Sequence, residues 1–481
     1  MSDNHVVGEF TVGAFTLVNQ YQESLEITDM VAGFKLYESI FEYFVTGEVS
    51  VVDGLNLPKN FRLTGQEYLR ISLKQKEGMG EDAEEDFSID KTFRIYALEN
   101  VIRANETTQS YVLRLCDPRM FYVQRKRISQ TLRGRYDQIL QNTLVDVGKF
   151  RVDEFDAWEQ TVPENKQLIC PNWTIHQLME YLVNNSQVSE SHAYKNSMFF
   201  YQTLNGGFRL QSFDNMCDME FPVTFSNIPR NANLDTDEEN LNSPHGLNTG
   251  ILVYKKPQMF DTLTATIGGA YSSTQKVYDP IRKLEEETIY DLESAMKKGQ
   301  HVSGHPMLYV DDMERVLSAE DVVDATVSPL VNEIDVDIQP TKEYGAVIRH
   351  DYQSNHPFDN ATTLEDPEVF EGRKLNDSGQ LERIALLNIL QQHRIQVTIP
   401  LRTDLTVGMI IKFVMTTPET MGEGDKSDKV NDDRYLITDL ALDGDLSSKT
   451  GTLTMECVKE SYAEKIEDAK PLEEVSGVDK D

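Results

Sequence analysis

Alternation of apolar and polar positions dominates the two ends of the chain. In FRLTGQEYLRISLKQ (61–75), Leu69, Ile71 and Leu73 fall on one face and Arg70 and Ser72 on the other, the period of a half-buried strand. GEVSVVDG (47–54) predicts a second strand, followed by the turn-like LNLPKN. KTFRIYALENVI (91–102) sets Phe93, Ile95 and Ala97 against Arg94 and Tyr96, and QSYVLRLCD (109–117) predicts one strand more. Between them, the acidic KEGMGEDAEEDFSID lacks the Gly placement and terminal Glu of a calcium hand and reads as a solvated hairpin loop. Near the other end, Ile395, Val397 and Ile399 alternate in HRIQVTIP, and VGMIIKFVM and DRYLITDLAL continue the sheet across a hydrophilic loop at 416–433. GTLTMECVK closes it, with Leu453, Met455 and Cys457 inward.

Helical spacing is clearest in PNWTIHQLMEYLV (171–183). Thr174 caps, Gln177 completes a capping box, and Trp173 is placed to staple on Leu178. Ile175, Leu178, Met179 and Leu182 share one face, so Trp173 and His176 read as packing residues. Two strand runs then flank Asn205-Gly206-Gly207, a hairpin signal. The stretch 231–250 reads as a polar loop, GILVYKKPQMFDTLTATIGGAY (250–271) as strands pairing across a turn, and DPIRKLEEETIYDLESAMKKG (279–299) as a helix opened by Pro280. Short strands and loops are expected over 300–378. SGQLERIALLNILQQ (378–392) predicts an amphipathic helix anchored by Leu381, Ile384, Leu387 and Leu390.

These elements describe a mainly β chain with α+β parts. The expected units are a β domain at 1–111, a mixed α+β domain at 112–215 and a connecting mixed region at 216–378. A second β domain at 379–460 takes further strands from 208–230, and an acidic tail follows at 461–481. A length of 481 residues suits about three or four domains, and 39% apolar residues with 20 Tyr and 21 Phe can bury real cores.

Charge then narrows the partners. Eighty acids against 46 bases leave a net charge of −34, which excludes a surface that wraps nucleic acid. No run approaches the roughly 20 apolar residues of a membrane span, and no basic segment precedes Lys35, so neither membrane insertion nor export is expected. Cys116, Cys170, Cys217 and Cys457 lie far apart and read as buried thiols in a reducing compartment. Against this acidity stands one basic run, with Arg125, Lys126, Arg127, Arg133 and Arg135. It is a candidate interface with an acidic face of a neighbouring subunit, a phosphate patch, or a solvated helix face.

No P-loop, dinucleotide fingerprint, HExxH, GxSxG or kinase signature is present. His301 and His305 stand four apart, but Gly304 and Pro306 disfavour the helix that would let them share a metal, leaving two loop histidines.

Four segments together resemble the central hub protein of contractile-tail phage baseplates: 34–75, 92–118, 162–186 with 198–213, and 381–414 with 434–458. In that family two β-rich domains per chain resemble tail-tube subunits. The resemblance implies two tube-like β-barrel or sheet domains with inserted mixed domains. It implies a homotrimer whose six such domains join the sixfold tube to the threefold spike around a DNA channel. The implied protein is a virion component made in the host cytoplasm. Its partners are the spike and the tube or tube-initiator protein, then tape-measure and wedge proteins, with DNA only in passage. The resemblance implies no catalytic residue, metal or cofactor. Alternatives are a tube-initiating or tube-capping protein and, more remotely, a carbohydrate-active or host-surface-binding enzyme, which would need clustered carboxylates and aromatics in a cleft.

Overall fold

The computed structural model describes residues 8–75, 88–162, 166–188, 191–226, 250–279, 284–306, 348–352, 379–414 and 433–462. The acidic loop up to Phe87, the polar stretch 231–249, most of 300–378, the loop 416–432 and the tail beyond Tyr462 lie outside the described residues.

The N-terminal alternation becomes an antiparallel array: β1 (Phe10–Val18), β2 (Ser24–Glu26), β3 (Val31–Ser39), β4 (Thr46–Asp53), β5 (Tyr68–Gln75), β6 (Ser88–Arg103) and β7 (Gln109–Cys116). Their order is β3-β4-β7-β6-β5-β1-β2, with Leu69, Ile71, Leu73, Phe93 and Ile95 buried as the period requires. A short helix, α1 (Leu57–Asn60), follows β4.

The mixed region is built from α2 (Arg119–Arg125), β8 (Arg127–Ile128), β9 (Thr131–Gly134), α3 (Tyr136–Asp146), β10 (Phe155–Trp158), β11 (Lys166–Ile169) and β12 (Trp173–Thr174). It continues with α4 (Ile175–Asn185), β13 (Met198–Gln202), β14 (Phe208–Ser212) and α5 (Phe213–Cys217). Its own core gathers Ile139, Leu144, Leu178, Leu182, Phe200 and Phe208. The capping box on α4 is formed: Gln177 N donates to Thr174 Oγ1 at 3.2 Å, and Thr174 N donates to Gln177 Oε1 at 3.0 Å. Trp173 lies against Tyr181, 5.2 Å between ring centroids. In the β13–β14 hairpin, neither Gly206 nor Gly207 has a positive φ. They serve close approach instead, because a Cβ on Gly207 would collide with the Glu154 carbonyl and one on Gly206 with the Asp156 carboxylate.

The second β unit comprises β15 (Glu220–Ser226), β16 (Val253–Gln258), β21 (His393–Pro400), β22 (Ile410–Val414), β23 (Asp433–Asp445) and β24 (Thr450–Lys459). Ile395, Val397, Ile399, Leu453, Met455 and Cys457 are fully buried, as their alternation predicts. Between these strands lie α6 (Thr262–Gly268), β17 (Ser272–Asp279), β18 (Leu284–Asp291), α7 (Leu292–Met296), β19 (His305–Pro306), β20 (Ile348–Tyr352) and α8 (Gly379–Ile389), and β25 (Ser461–Tyr462) follows β24.

Tertiary packing overturns two local expectations and broadens a third. The second half of 250–271 is a helix: Asp261 caps α6, accepting from Thr264 N at 2.9 Å, and Gly269 ends it at φ 76°. Leu284–Asp291, expected to be helical, is a strand, because its Glu-rich run pairs along β17 and Lys276 meets Glu287 at 3.4 Å. The helix expected over 378–392 forms as α8, with Leu381, Ala385, Leu386 and Ile389 fully buried on it and Leu390 buried just past its end, while Ile384 and Leu387 are half-buried. That helix is wedged among α4, α6 and β17, so its buried face is wider than one stripe.

The two β units are not separate barrels among the described residues; they share one sheet. β23 is the joint: Asp433–Leu436 pair with β22, and Asp439–Asp445 pair with β3 along the same edge, after a bulge between Ile437 and Asp439. The opposite end of the first unit returns to the same hairpin through one bridge, Glu9 with Thr450. A single hydrophobic core runs through both units.

Candidate functional site

The basic run is broken over four elements rather than one helix face. Arg125 ends α2, Lys126 links it to β8, Arg127 and Arg133 lie in β8 and β9, and Arg135 precedes α3. Arg125, Lys126, Arg127 and Arg133 are exposed, with Arg127 donating to the Asn172 carbonyl at 3.0 Å. Arg135 is held apart from the others by both oxygens of Asp137, each at 3.1 Å. Asp137 in turn accepts from Thr161 N and Oγ1. Beside Arg125 a cavity of about 720 Å³ opens between α2, the ends of β4, β5 and β7 and the middle of β6.

Two buried polar joints escaped sequence reasoning. At the first, Glu38 on β3 accepts from Leu204 N in the β13–β14 turn and from Val407 N at 3.1 Å, ahead of β22. Burial raises its carboxyl, opposed by these two amides and by the charges of Lys91 and Arg209. Lys91 of β6 donates to the carbonyls of Thr203, Leu204 and Gly206, and burial pulls its ammonium down to about 8. Asp117 holds Arg119 and accepts from Gln202 at 2.6 Å, while Gln202 accepts from Val45 N at 3.1 Å. One hairpin turn is thereby tied to both β units. The partners lie 85 to 369 residues apart, so no local pattern announces them.

The second joint closes the far end of the sheet. Glu460 accepts from His301 Nδ1 at 3.1 Å and from Val302 N at 3.0 Å. Burial disfavours a charged imidazole, but the hydrogen bond and charge of Glu460 raise His301 above its usual range. Lys459 pairs with Asp433 at 3.1 Å, and Asp433 also accepts from Ser303 Oγ at 2.7 Å. His301 lies in a loop, as expected, but is anchored there by Glu460, while the backbone of His305 is in a short strand and pairs with Tyr462.

Among the described residues no group of three or more His, Cys, Asp or Glu is placed to hold a metal ion. All four cysteines are buried and unbridged, and burial pushes the Cys116 thiol up to about 12. These thiols sit far from the range of a reactive nucleophile. No helix among the described residues is long and apolar enough to cross a membrane.

No protein-family model and no curated protein matches the sequence. Comparison with solved structures finds similar chains, at low identity and with TM-scores below 0.5. One is a tail protein from Neisseria meningitidis MC58, at 8% identity and a TM-score of 0.47, with 94% of this chain and 97% of that one covered. Another is the 43 kDa tail protein of prophage MuSo2 from Shewanella oneidensis, at 9% identity and 0.45, covering 93% and 98%. A third is the E. coli c3393 protein, a type VI secretion component described as similar to the T4 tail proteins gp27 and gp5. It matches at 9% identity and 0.39, covering 94% and 77%.

Proposed function

We propose that this chain is a structural component of a contractile tail, the trimeric central hub of its baseplate. In this reading two tube-like β units per chain give six around a threefold axis. They adapt a sixfold tube to a threefold spike and surround the passage for DNA. The observation that carries the reading is the split pairing of β23, which holds β3 of one unit and β22 of the other on a single strand. Two sheet units joined on one strand present two edges per chain, and a cyclic trimer turns these into a ring of six. The role is mechanical, and the buried joint at Glu38 serves it by tying the first β unit to the mixed region and to the second.

Light scattering of the purified chain tests this. The expected mass is near 165 kDa, three times the 54.9 kDa chain. A hexamer would instead point to a tube-initiating ring. A chain that stays monomeric both alone and with its candidate spike protein would remove the hub reading.

A further inference from the structure

The cavity beside Arg125 has an unusual floor. Thr46, Cys116, Arg94 and Tyr68 stand in register across β4, β7, β6 and β5, each paired with the next. Directly opposed residues of antiparallel strands point to the same face, so these four side chains share one level. The wall is α2, with Phe121 and Tyr122, and Tyr96 completes the rim beyond the bulge between Ile95 and Ala97. Tyr96, Phe121 and Tyr122 are 49%, 37% and 44% exposed, so three large rings face outward at one opening.

Its charge is equally one-sided. No lining residue is acidic. The Arg94 guanidinium lies 4.1 Å from the Phe121 ring centroid, and its Nε is buried without a hydrogen-bond partner. Arg125 stands exposed at the rim, and neither arginine meets a carboxylate among the described residues. A guanidinium held over a ring, with its Nε unpaired, offers a carboxylate a charged donor.

Two copies of a chain at −34 repel on approach. Salt confines that repulsion to about 8 Å, so a stable contact between copies must seat acids on cations at short range. The exposed Lys126, Arg127 and Arg133 continue from the rim.

We infer that this cavity receives a carboxylate-bearing segment of a second copy of the chain, with its acids on Arg94 and Arg125 and its apolar side chains among Tyr96, Phe121 and Tyr122. This rests on the self-assembling reading above and adds the surface and its chemistry. A single strand of DNA, whose phosphates and bases could use the same groups, is the competing occupant.

The test places a photo-crosslinking benzoylphenylalanine at Tyr122 in the full chain and maps the captured peptide by mass spectrometry. The expected product joins two chains through an Asp/Glu-rich peptide. Its yield should fall about tenfold with Arg125→Glu, survive Arg125→Lys, and fall in high salt, in line with loss of a close charge pair. Arg125 is exposed, so folding should be unaffected, and circular dichroism checks this. Trimers that yield only intrachain cross-links, or none, would overturn this surface while leaving the hub reading intact. Displacement of the cross-link by a single-stranded oligonucleotide would also overturn it, and a chain that stays monomeric both alone and with its candidate spike protein would remove both.

Discussion

At the residue scale, the informative side chains are polar groups placed where an alternating pattern would put apolar ones. His393 opens β21 fully buried, 3.2 Å from the Tyr435 hydroxyl. Burial, then the charges of Lys459 and Lys256, pushes its imidazole down to about 3. The sign follows from proton counting. Between pH 6.5 and 3 the unfolded chain binds a proton on this histidine that the folded chain refuses, so stability falls as pH falls through that window. Replacing His393 with Phe should flatten the acid limb of a stability–pH curve measured by urea unfolding, by on the order of 2–4 kcal/mol at pH 4. An unchanged acid limb would mean that the histidine titrates freely.

Elements depended on how local their determinants were. The cap of α4 and its buried face follow from residues within a turn of each other, so Thr174→Ala should cost about 1 kcal/mol and lower the thermal midpoint by a degree or two. A midpoint that does not move would show the cap to be redundant with the packing of Trp173 on Tyr181. By contrast, β18 carries a helix-compatible, Glu-rich sequence and is a strand only because β17 offers it eight paired positions. The basic run shows the same limit: adjacent in sequence, its five cations are spread by two short strand pairings, and Arg135 is spent on Asp137.

The whole molecule is joined by contacts between distant parts of the chain. Glu38 alone satisfies amides from the mixed domain and from the second β unit. With Glu38→Leu both amides lose their acceptor. At about 1–3 kcal/mol per buried unsatisfied group, the loss should be roughly 2–6 kcal/mol. Because the β units share β23, the wild-type chain should melt them together, in one calorimetric transition. Two well-separated transitions in the wild type would contradict the shared sheet, and an unmoved transition in the variant would show that water replaces the carboxylate.

Composition and alternation by themselves determined that this is an acidic, mainly β chain. They set which faces of β5, β6, β21 and β24 are buried and where the α4 helix begins, because strand period and helix caps are properties of neighbouring residues. Only the tertiary structure decided that the two β units form one sheet, that Gly206 makes room for the Asp156 carboxylate and Gly207 for the Glu154 backbone rather than for a turn angle, and that Arg94 joins Arg125 at one cavity. Those outcomes depend on strand pairing and desolvation between segments up to several hundred residues apart. The free energy of such contacts exists only once the chain has closed on itself, so no local pattern carries it.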